Sequence, residues 1–223
     1  MVAADTPART AGRPFAGPVQ ASLLAAGPVG VRPTVGFERI DLGRGAWVDV
    51  ARGWLGGADE LAAQLIETVS WRQRRRRMYD RVVDEPRLVR WYRAEDPLPH
   101  GALAGFRQAV RDRYRVPFGA MGLNYYRDGA DSVAWHADRE LRHLSDTLVA
   151  IVTLGARRPF LIRPTGGGRS VDLGPASGDL VVMGGSCQAR FEHTVPKVAA
   201  AGPRVSASVR WAAAARDAAV CRR

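Results

Sequence analysis

Cysteine is scarce in this sequence of 223 residues, where Cys187 and Cys221 are the only two. Two thiols exclude a disulfide framework and a cysteine-rich zinc site, so we expect a reducing, intracellular compartment. The sequence also lacks a run of about 18 apolar residues, which excludes an ordinary membrane-spanning helix. Hydrophobic residues make up 46% and charged residues 25%, a balance typical of a globular chain and not of a disordered one.

Lysine is nearly absent too, because Lys197 is the only one. Lys and Arg nevertheless number 33 against 22 Asp and Glu, which gives a formal net charge of +11. The use of Arg in place of Lys is typical of a GC-rich genome, and we expect a bacterial, cytoplasmic protein that associates with the nucleoid when it acts. The excess of positive charge favours a polyanionic partner, above all nucleic acid.

The two ends of the chain differ in composition from its middle. Residues 1–35 are rich in Ala, Gly and Pro without a hydrophobic period, so they are predicted to form a flexible N-terminal segment. Residues 212–223 are predicted to form a short C-terminal tail. The residues between them, 36–211, are predicted to fold as one domain.

The first part of this domain shows helical periodicity, and the second part consists of β-rich runs. Apolar residues fall at helical spacing around Leu61 and Leu65, and again from Leu103 to Tyr114. From Gly122 onward, eight short β-rich runs alternate with turn signals. We therefore predict a mainly β fold with flanking helices (α+β), built as a double-stranded β-helix or jelly roll.

Histidine is scarce enough that metal ligands can be sought by elimination, since the chain has only four. His136 and Asp138 form an H-x-D pair in a β-rich run, and residues i and i+2 of a strand share one face. His193 lies in a later β-rich run. Two histidines and one carboxylate on one face form the facial triad of non-haem Fe(II) oxygenases. An isolated H-x-D pair is more often a surface turn or a structural hydrogen bond.

The last β-rich run alternates between polar and apolar residues. Arg204, Ser206, Ser208 and Arg210 occupy one predicted face, and small apolar residues occupy the other. Two buried arginines would require anions, and a dicarboxylate co-substrate would supply them. The alternative is a solvated basic face.

These runs together resemble the AlkB family of Fe(II)- and 2-oxoglutarate-dependent nucleic-acid dealkylases, which have a jelly-roll fold. The resemblance covers about residues 70–211. It lies in EPRLVRWY from Glu85, NYYRDGADSVAWHADRE from Asn124, GGSCQARFEHTVPK from Gly184, and the final run PRVSASVRW.

The resemblance implies a set of catalytic and cofactor residues. The catalytic metal ligands for Fe(II) would be His136, Asp138 and His193. Arg204 would hold the distal carboxylate of 2-oxoglutarate, and Arg210 would lie beside the carboxylate next to its keto group. The remaining residues implied for this co-substrate are Asn124, Tyr126 and Ser206, of which Ser206 replaces the asparagine of the family pattern. O2 would be the second co-substrate.

The resemblance also implies contacts to the substrate. Glu140 lies four residues after His136, where the family keeps an acidic residue that can accept from the exocyclic amine of an alkylated base. Arg139 stands where relatives often carry an acid. Arg139 would either alter the contacts that hold Arg210 in place or point outward toward a phosphate of the substrate.

A basic segment extends the predicted substrate site. Residues 72–115 hold 13 Arg against six Asp and Glu. Arginine at this density can neutralise several phosphates without reading sequence. Arg74 and Arg76 are predicted to contact the substrate, and Tyr79 is predicted to stack on its base.

The sequence thus predicts oxidative demethylation of N-alkylated bases, of the N1-methyladenine or N3-methylcytosine type, in DNA or RNA, as direct-reversal repair. The resemblance implies that 2-oxoglutarate becomes succinate and CO2 while the alkyl carbon leaves as an aldehyde. The base must be single-stranded or flipped out of the helix, and a monomer is expected. Two alternatives stay open: a related oxygenase acting on a small molecule or protein, and a nucleic-acid-binding protein without catalysis.

Overall fold

The structure is a computed structural model that describes residues 28–78 and 81–213. Its helices are α1 (Ala58–Thr68), α2 (Gly101–Tyr114) and α3 (Cys187–Arg190). Its strands are β1 (Gly30–Val31), β2 (Glu38–Gly43), β3 (Ala46–Ala51), β4 (Leu55–Gly56), β5 (Arg72–Met78), β6 (Arg81–Tyr92), β7 (Met121–Tyr126), β8 (Val133–His136), β9 (Thr147–Gly155), β10 (Leu161–Pro164), β11 (Val171–Asp172), β12 (Leu180–Gly185), β13 (Phe191–Val195) and β14 (Arg204–Ala212). A helix long and apolar enough to cross a membrane is not found among the described residues.

Two antiparallel sheets face each other. The larger sheet has eight strands in the order β2-β3-β12-β9-β14-β7-β6-β5, and the smaller has four in the order β11-β10-β13-β8. A short pair, β1 with β4, lies beside them. The many crossings between sequentially distant strands are those of a jelly roll, which confirms the predicted fold class.

The middle of the large sheet is buried on both faces. On β9, Val149 and Ile151 pack between the two sheets, while Ala150, Val152 and Leu154 pack on the opposite side, in the cluster that includes α1 and α2. Successive side chains of a strand point to opposite faces, so a strand covered on both sides must be apolar throughout. The helices therefore cover the outer face of the large sheet and leave its inner face to the cavity between the sheets.

The second helix has a histidine cap that the sequence did not indicate. His100 precedes α2, and its Nδ1 accepts a hydrogen bond of 3.0 Å from the backbone N–H of Ala102. This bond satisfies one of the free N–H groups of the first turn. The helix ends at Arg115, whose φ of 56° lies in the left-handed region, two residues before Pro117.

The eight predicted runs after Gly122 all contain strands, but the sequence did not predict the six strands that precede α2. Among them are the hairpin of β5 and β6, which carries the densest arginines, and the short strand β1. Val29, Val31 and Val35 pack against the core. Residues 28–35 of the predicted N-terminal segment therefore contribute to the fold. Ala212, the first residue of the predicted C-terminal tail, ends β14. Residues 1–27 and 214–223 lie outside the described part of the chain.

Candidate functional site

Two neighbouring strands of the small sheet bring the predicted triad together. His136 ends β8 and is the direct register partner of His193 on β13, with the two ring centroids 4.3 Å apart. Asp138 follows β8 by two residues. The ligand atoms of His136, Asp138 and His193 all lie within 4.8 Å of one another. Three donors at such separations can bind one metal ion and leave further coordination positions open, as non-haem Fe(II) sites do.

The histidine rings are held by contacts outside the triad. His136 Nδ1 lies 2.8 Å from the carbonyl oxygen of Ala134, which directs the Nδ1 proton to that oxygen and leaves Nε2 for a metal. The ring of Phe160 stacks on His193 with centroids 5.4 Å apart. Burial, together with the neighbouring His136, lowers the pKa of His193 to about 3. A neutral imidazole is the form that binds a metal.

Asp138 is held at both its carboxylate and its backbone. Arg210 Nε donates to its Oδ2 at 2.7 Å, and the side-chain carbonyl of Gln188 accepts from the Asp138 backbone N–H at 2.8 Å. Burial alone would raise the pKa of Asp138, but the charge and hydrogen bond of Arg210 outweigh it, so the pKa is lowered. The carboxylate is therefore ionised and oriented before any metal binds.

A cavity of about 1210 Å³ between the sheets holds this triad, and Arg204 lies on its wall. The Arg204 side chain is 1% exposed, and its Nη2 donates to Thr153 Oγ1 at 3.2 Å. Its Nε and Nη1 have no hydrogen-bond partner among the described residues. Burial lowers the pKa of Arg204 to about 10, which leaves it charged at neutral pH. A buried guanidinium with two free donors is a site for a carboxylate.

The rest of the predicted co-substrate set lines the same cavity. Tyr126 is the register partner of Arg204, and Asn124 is the register partner of Ser206. All four side chains share the inner face of the large sheet, as the alternation of the last strand predicted. Ser208 lies between Ser206 and Arg210, and its hydroxyl donates to the carbonyl of Gly122 at 3.2 Å.

Comparison with known proteins identifies the family. A family model described as the 2OG-Fe(II) oxygenase superfamily matches residues 56–216. The chain belongs to the 2OG-Fe(II) oxygenase superfamily. The metal triad and the buried arginine fit Fe(II) and 2-oxoglutarate respectively, which agrees with both cofactors predicted from the sequence.

Within the superfamily, the relatives confirm the predicted AlkB resemblance. The chain is 31% identical over 160 residues to alpha-ketoglutarate-dependent dioxygenase alkB homolog 3 of Mus musculus, covering 63% of this chain and 56% of the mouse protein. It is 30% identical over 189 residues to the Homo sapiens homolog 3, covering 76% and 64%. DNA oxidative demethylase ALKBH2 of Arabidopsis thaliana is 32% identical over 117 residues, covering 42% and 37%. The matched region thus spans little more than half of the mouse relative.

A solved structure supports the fold. The prolyl hydroxylase of Trichoplax adhaerens, in complex with a peptide fragment of the hypoxia inducible factor oxygen degradation domain, superimposes with a TM-score of 0.56. The superposition covers 74% of this chain and 83% of the hydroxylase at 11% sequence identity. This likeness is one of architecture alone.

The structure brings only part of the predicted substrate set to the cavity. Arg74 on β5 and Arg139 beside the triad line it, and both are exposed. Glu140 is exposed and is not among the residues that line the cavity, so its contact with the base stays a prediction. The side chain of Arg76 and all of Tyr79 lie outside the described part of the chain.

Several residues of the site were not singled out by the sequence. Gln188 is 1% exposed and binds the backbone of Asp138, 50 positions earlier in the chain. Arg87 Nε donates to Asn124 Oδ1 at 3.0 Å, which turns the amide nitrogen of Asn124 away from the arginine. Neither residue belongs to a motif with a spacing of its own. Both lie in runs that carry the family resemblance, Gln188 in GGSCQARFEHTVPK and Arg87 in EPRLVRWY, but no role was predicted for either from the sequence.

Proposed function

We propose that this protein catalyses Fe(II)- and 2-oxoglutarate-dependent oxidative demethylation of N-alkylated bases in DNA or RNA. The observation that carries the proposal is that the arginine-rich hairpin of β5 and β6 lines the same cavity as the metal triad and Arg204. Arg74 of β5 and Arg87 of β6 line the same cavity as His136 and Arg204. A flipped base entering this cavity would bring its phosphates to the arginine-rich edge of the large sheet. The name of the Arabidopsis relative, a DNA oxidative demethylase, supports this substrate class.

The chain contributes binding and orientation to this reaction. When bound, Fe(II) and 2-oxoglutarate would supply the oxidising chemistry that hydroxylates an N-alkyl carbon with release of succinate and CO2. Arg204 would pair with a carboxylate of the co-substrate through its free Nε and Nη1, and His136, Asp138 and His193 would hold the metal. Arg210 keeps Asp138 ionised and fixed. His193 and Arg204 are the buried members of this set, which limits the access of water to these two side chains.

The test is product release from protein purified without oxygen and supplied with Fe(II), 2-oxoglutarate and methylated oligonucleotides. We expect succinate and formaldehyde together, with loss of the methyl mass from oligonucleotides that carry N1-methyladenine or N3-methylcytosine. Replacing His136 by alanine should abolish turnover and leave oligonucleotide binding intact, because it removes a metal ligand and not a phosphate contact. Succinate without demethylation would instead indicate an oxygenase of a small molecule or protein.

The proposal extends to the biological role of the protein, which we infer to be direct-reversal repair of alkylated DNA or RNA. The monomeric state and the cytoplasmic, nucleoid-associated location are likewise predictions from the sequence. Size-exclusion chromatography with light scattering would test the first, and nuclease-sensitive sedimentation from lysate would test the second.

A further inference from the structure

We infer that Glu85 determines which alkylated bases the cavity accepts, by binding a cationic base that carries an amine. This inference rests on the proposed function, since it concerns the substrate of the same site. It starts from the charges of the cavity, where four carboxylates lie among the described lining residues. They are Asp84, Glu85, Asp138 and Glu192.

Three of these carboxylates already accept hydrogen bonds from a guanidinium. Asp84 accepts from Arg75 Nε at 3.3 Å, Asp138 from Arg210, and Glu192 from Arg163 Nε at 2.7 Å. Glu85 differs from them. Its Oε2 is buried and has no hydrogen-bond partner among the described residues, although Arg87 Nη2 lies 3.1 Å away as an ion pair.

Strand geometry directs the Glu85 side chain into the cavity, and Arg87 holds it there. Val89 is the register partner of Asn124, and side chains alternate along β6, so Glu85 and Arg87 share the face of Asn124. Arg87 is itself fixed by its bond to Asn124 Oδ1. The side chains of Glu85 and Arg87 are each 18% exposed. Glu85 is thus a positioned acceptor and not a mobile surface carboxylate.

Glu85 Oε2 is ion-paired with Arg87 but accepts no hydrogen bond from the described residues, so it can still accept one from a ligand that supplies an N–H. N1-methyladenine and N3-methylcytosine each carry a positive charge and keep an exocyclic amine next to the methylated nitrogen. N3-methylthymine is neutral and presents only carbonyl oxygens beside its methylated nitrogen. Glu85 would therefore attract the first two bases and repel the third. Glu140, which the sequence proposed for this role, is exposed and outside the cavity lining.

The test compares oligonucleotides that differ only in the methylated base. The variant Glu85→Gln keeps the size of the side chain and removes its charge. We expect the demethylation rate on N1-methyladenine to fall by about tenfold or more, the scale of a hydrogen bond to a charged group. The rate on N3-methylthymine should stay unchanged or rise. Asp84→Asn is the matched control, because Asp84 is exposed and already paired, and it should leave the ratio of the two rates unchanged.

A binding measurement on the metal-free protein gives a second readout. The dissociation constants of the two oligonucleotides, measured by fluorescence anisotropy, should lose their difference in Glu85→Gln and keep it in Asp84→Asn. Equal effects of Glu85→Gln on both bases, or no effect on either, would overturn the inference while leaving the proposed function intact. A wild-type protein that releases succinate but demethylates no oligonucleotide would overturn both.

Discussion

Arg210 donates to both carboxylate oxygens of Asp138, through Nε to Oδ2 at 2.7 Å and through Nη2 to Oδ1 at 3.3 Å. The pair joins the last strand of the large sheet to the loop that follows β8. The resemblance implied that Arg210 lies beside the co-substrate, and the structure places the same side chain on a metal ligand. One residue can therefore couple the position of the metal to that of its co-substrate.

Replacing Arg210 by methionine should weaken metal binding. Without the guanidinium, burial would raise the pKa of Asp138, and its carboxylate would lose its orientation. We expect Fe(II) affinity to fall by about 10- to 100-fold, the range found for residues that orient metal ligands. Anaerobic titration calorimetry measures this directly. Arg142→Met is the control, since the Arg142 side chain lines the same cavity without bonding to the Asp138 carboxylate, and its backbone N–H, which donates to the Asp138 carbonyl at 3.0 Å, is retained in the variant. An unchanged affinity in Arg210→Met would assign the pair to folding alone.

Arg204 and Arg158 offer a matched pair of buried arginines with opposite expectations. Arg204 has two donors without partners, whereas Arg158, at 0% exposed, donates to the carbonyls of Asp128, Asp131 and Pro196. Arg204→Met should leave the free protein as stable as before or more so, because it removes a buried charge with unsatisfied donors. It should also abolish the rise in melting temperature that 2-oxoglutarate produces.

Arg158→Met should behave in the opposite way. It removes the donor to three carbonyls, of which the one on Asp131 is buried, so we expect it to cost about 3 kcal/mol of folding free energy. Where the variant still folds, the rise in melting temperature with 2-oxoglutarate should persist. Scanning calorimetry of both variants, with and without 2-oxoglutarate and a metal, measures these effects. A stable Arg204→Met protein that still responds fully to 2-oxoglutarate would contradict the assigned carboxylate contact.

Local spacing and the family resemblance together predicted the metal and co-substrate residues, and the structure brings these side chains to one cavity. Residues two apart on a strand share a face, so Arg204 and Ser206 could be placed from strand periodicity. Asp138 reaches the triad although β8 ends at His136, two residues before it. The role of Gln188 could not be predicted from strand periodicity, because it depends on a contact between α3 and the backbone of Asp138 after β8. The hairpin of β5 and β6 was also missed, since a run of arginines carries no hydrophobic period. β5 pairs with β6 through backbone hydrogen bonds, and β6 is itself paired with β7 on its other side.

Electrostatic binding of nucleic acid should depend on Arg74 in a salt-sensitive way. Arg74 is exposed and lies on β5 at the rim of the cavity. If it neutralises one phosphate, Arg74→Ala should lower the slope of log affinity against log salt by about one unit, whatever the base sequence. Arg111→Ala on the exposed side of α2, across the large sheet, should leave the slope unchanged. Equal slopes in all three proteins would place the phosphate path away from β5.

Gly122 and Gly129 should respond very differently to a single added methyl group. A Cβ at Gly122 would lie 3.0 Å from the ring of Trp91, which is 50% exposed and can move toward solvent. A Cβ at Gly129 would clash with the carbonyl oxygen of Val198, where the backbone itself must shift. We expect Gly122→Ala to cost less than about 1 kcal/mol and Gly129→Ala about 2–3 kcal/mol in urea unfolding. Similar costs would show that the backbone at Val198 shifts as readily as the Trp91 side chain.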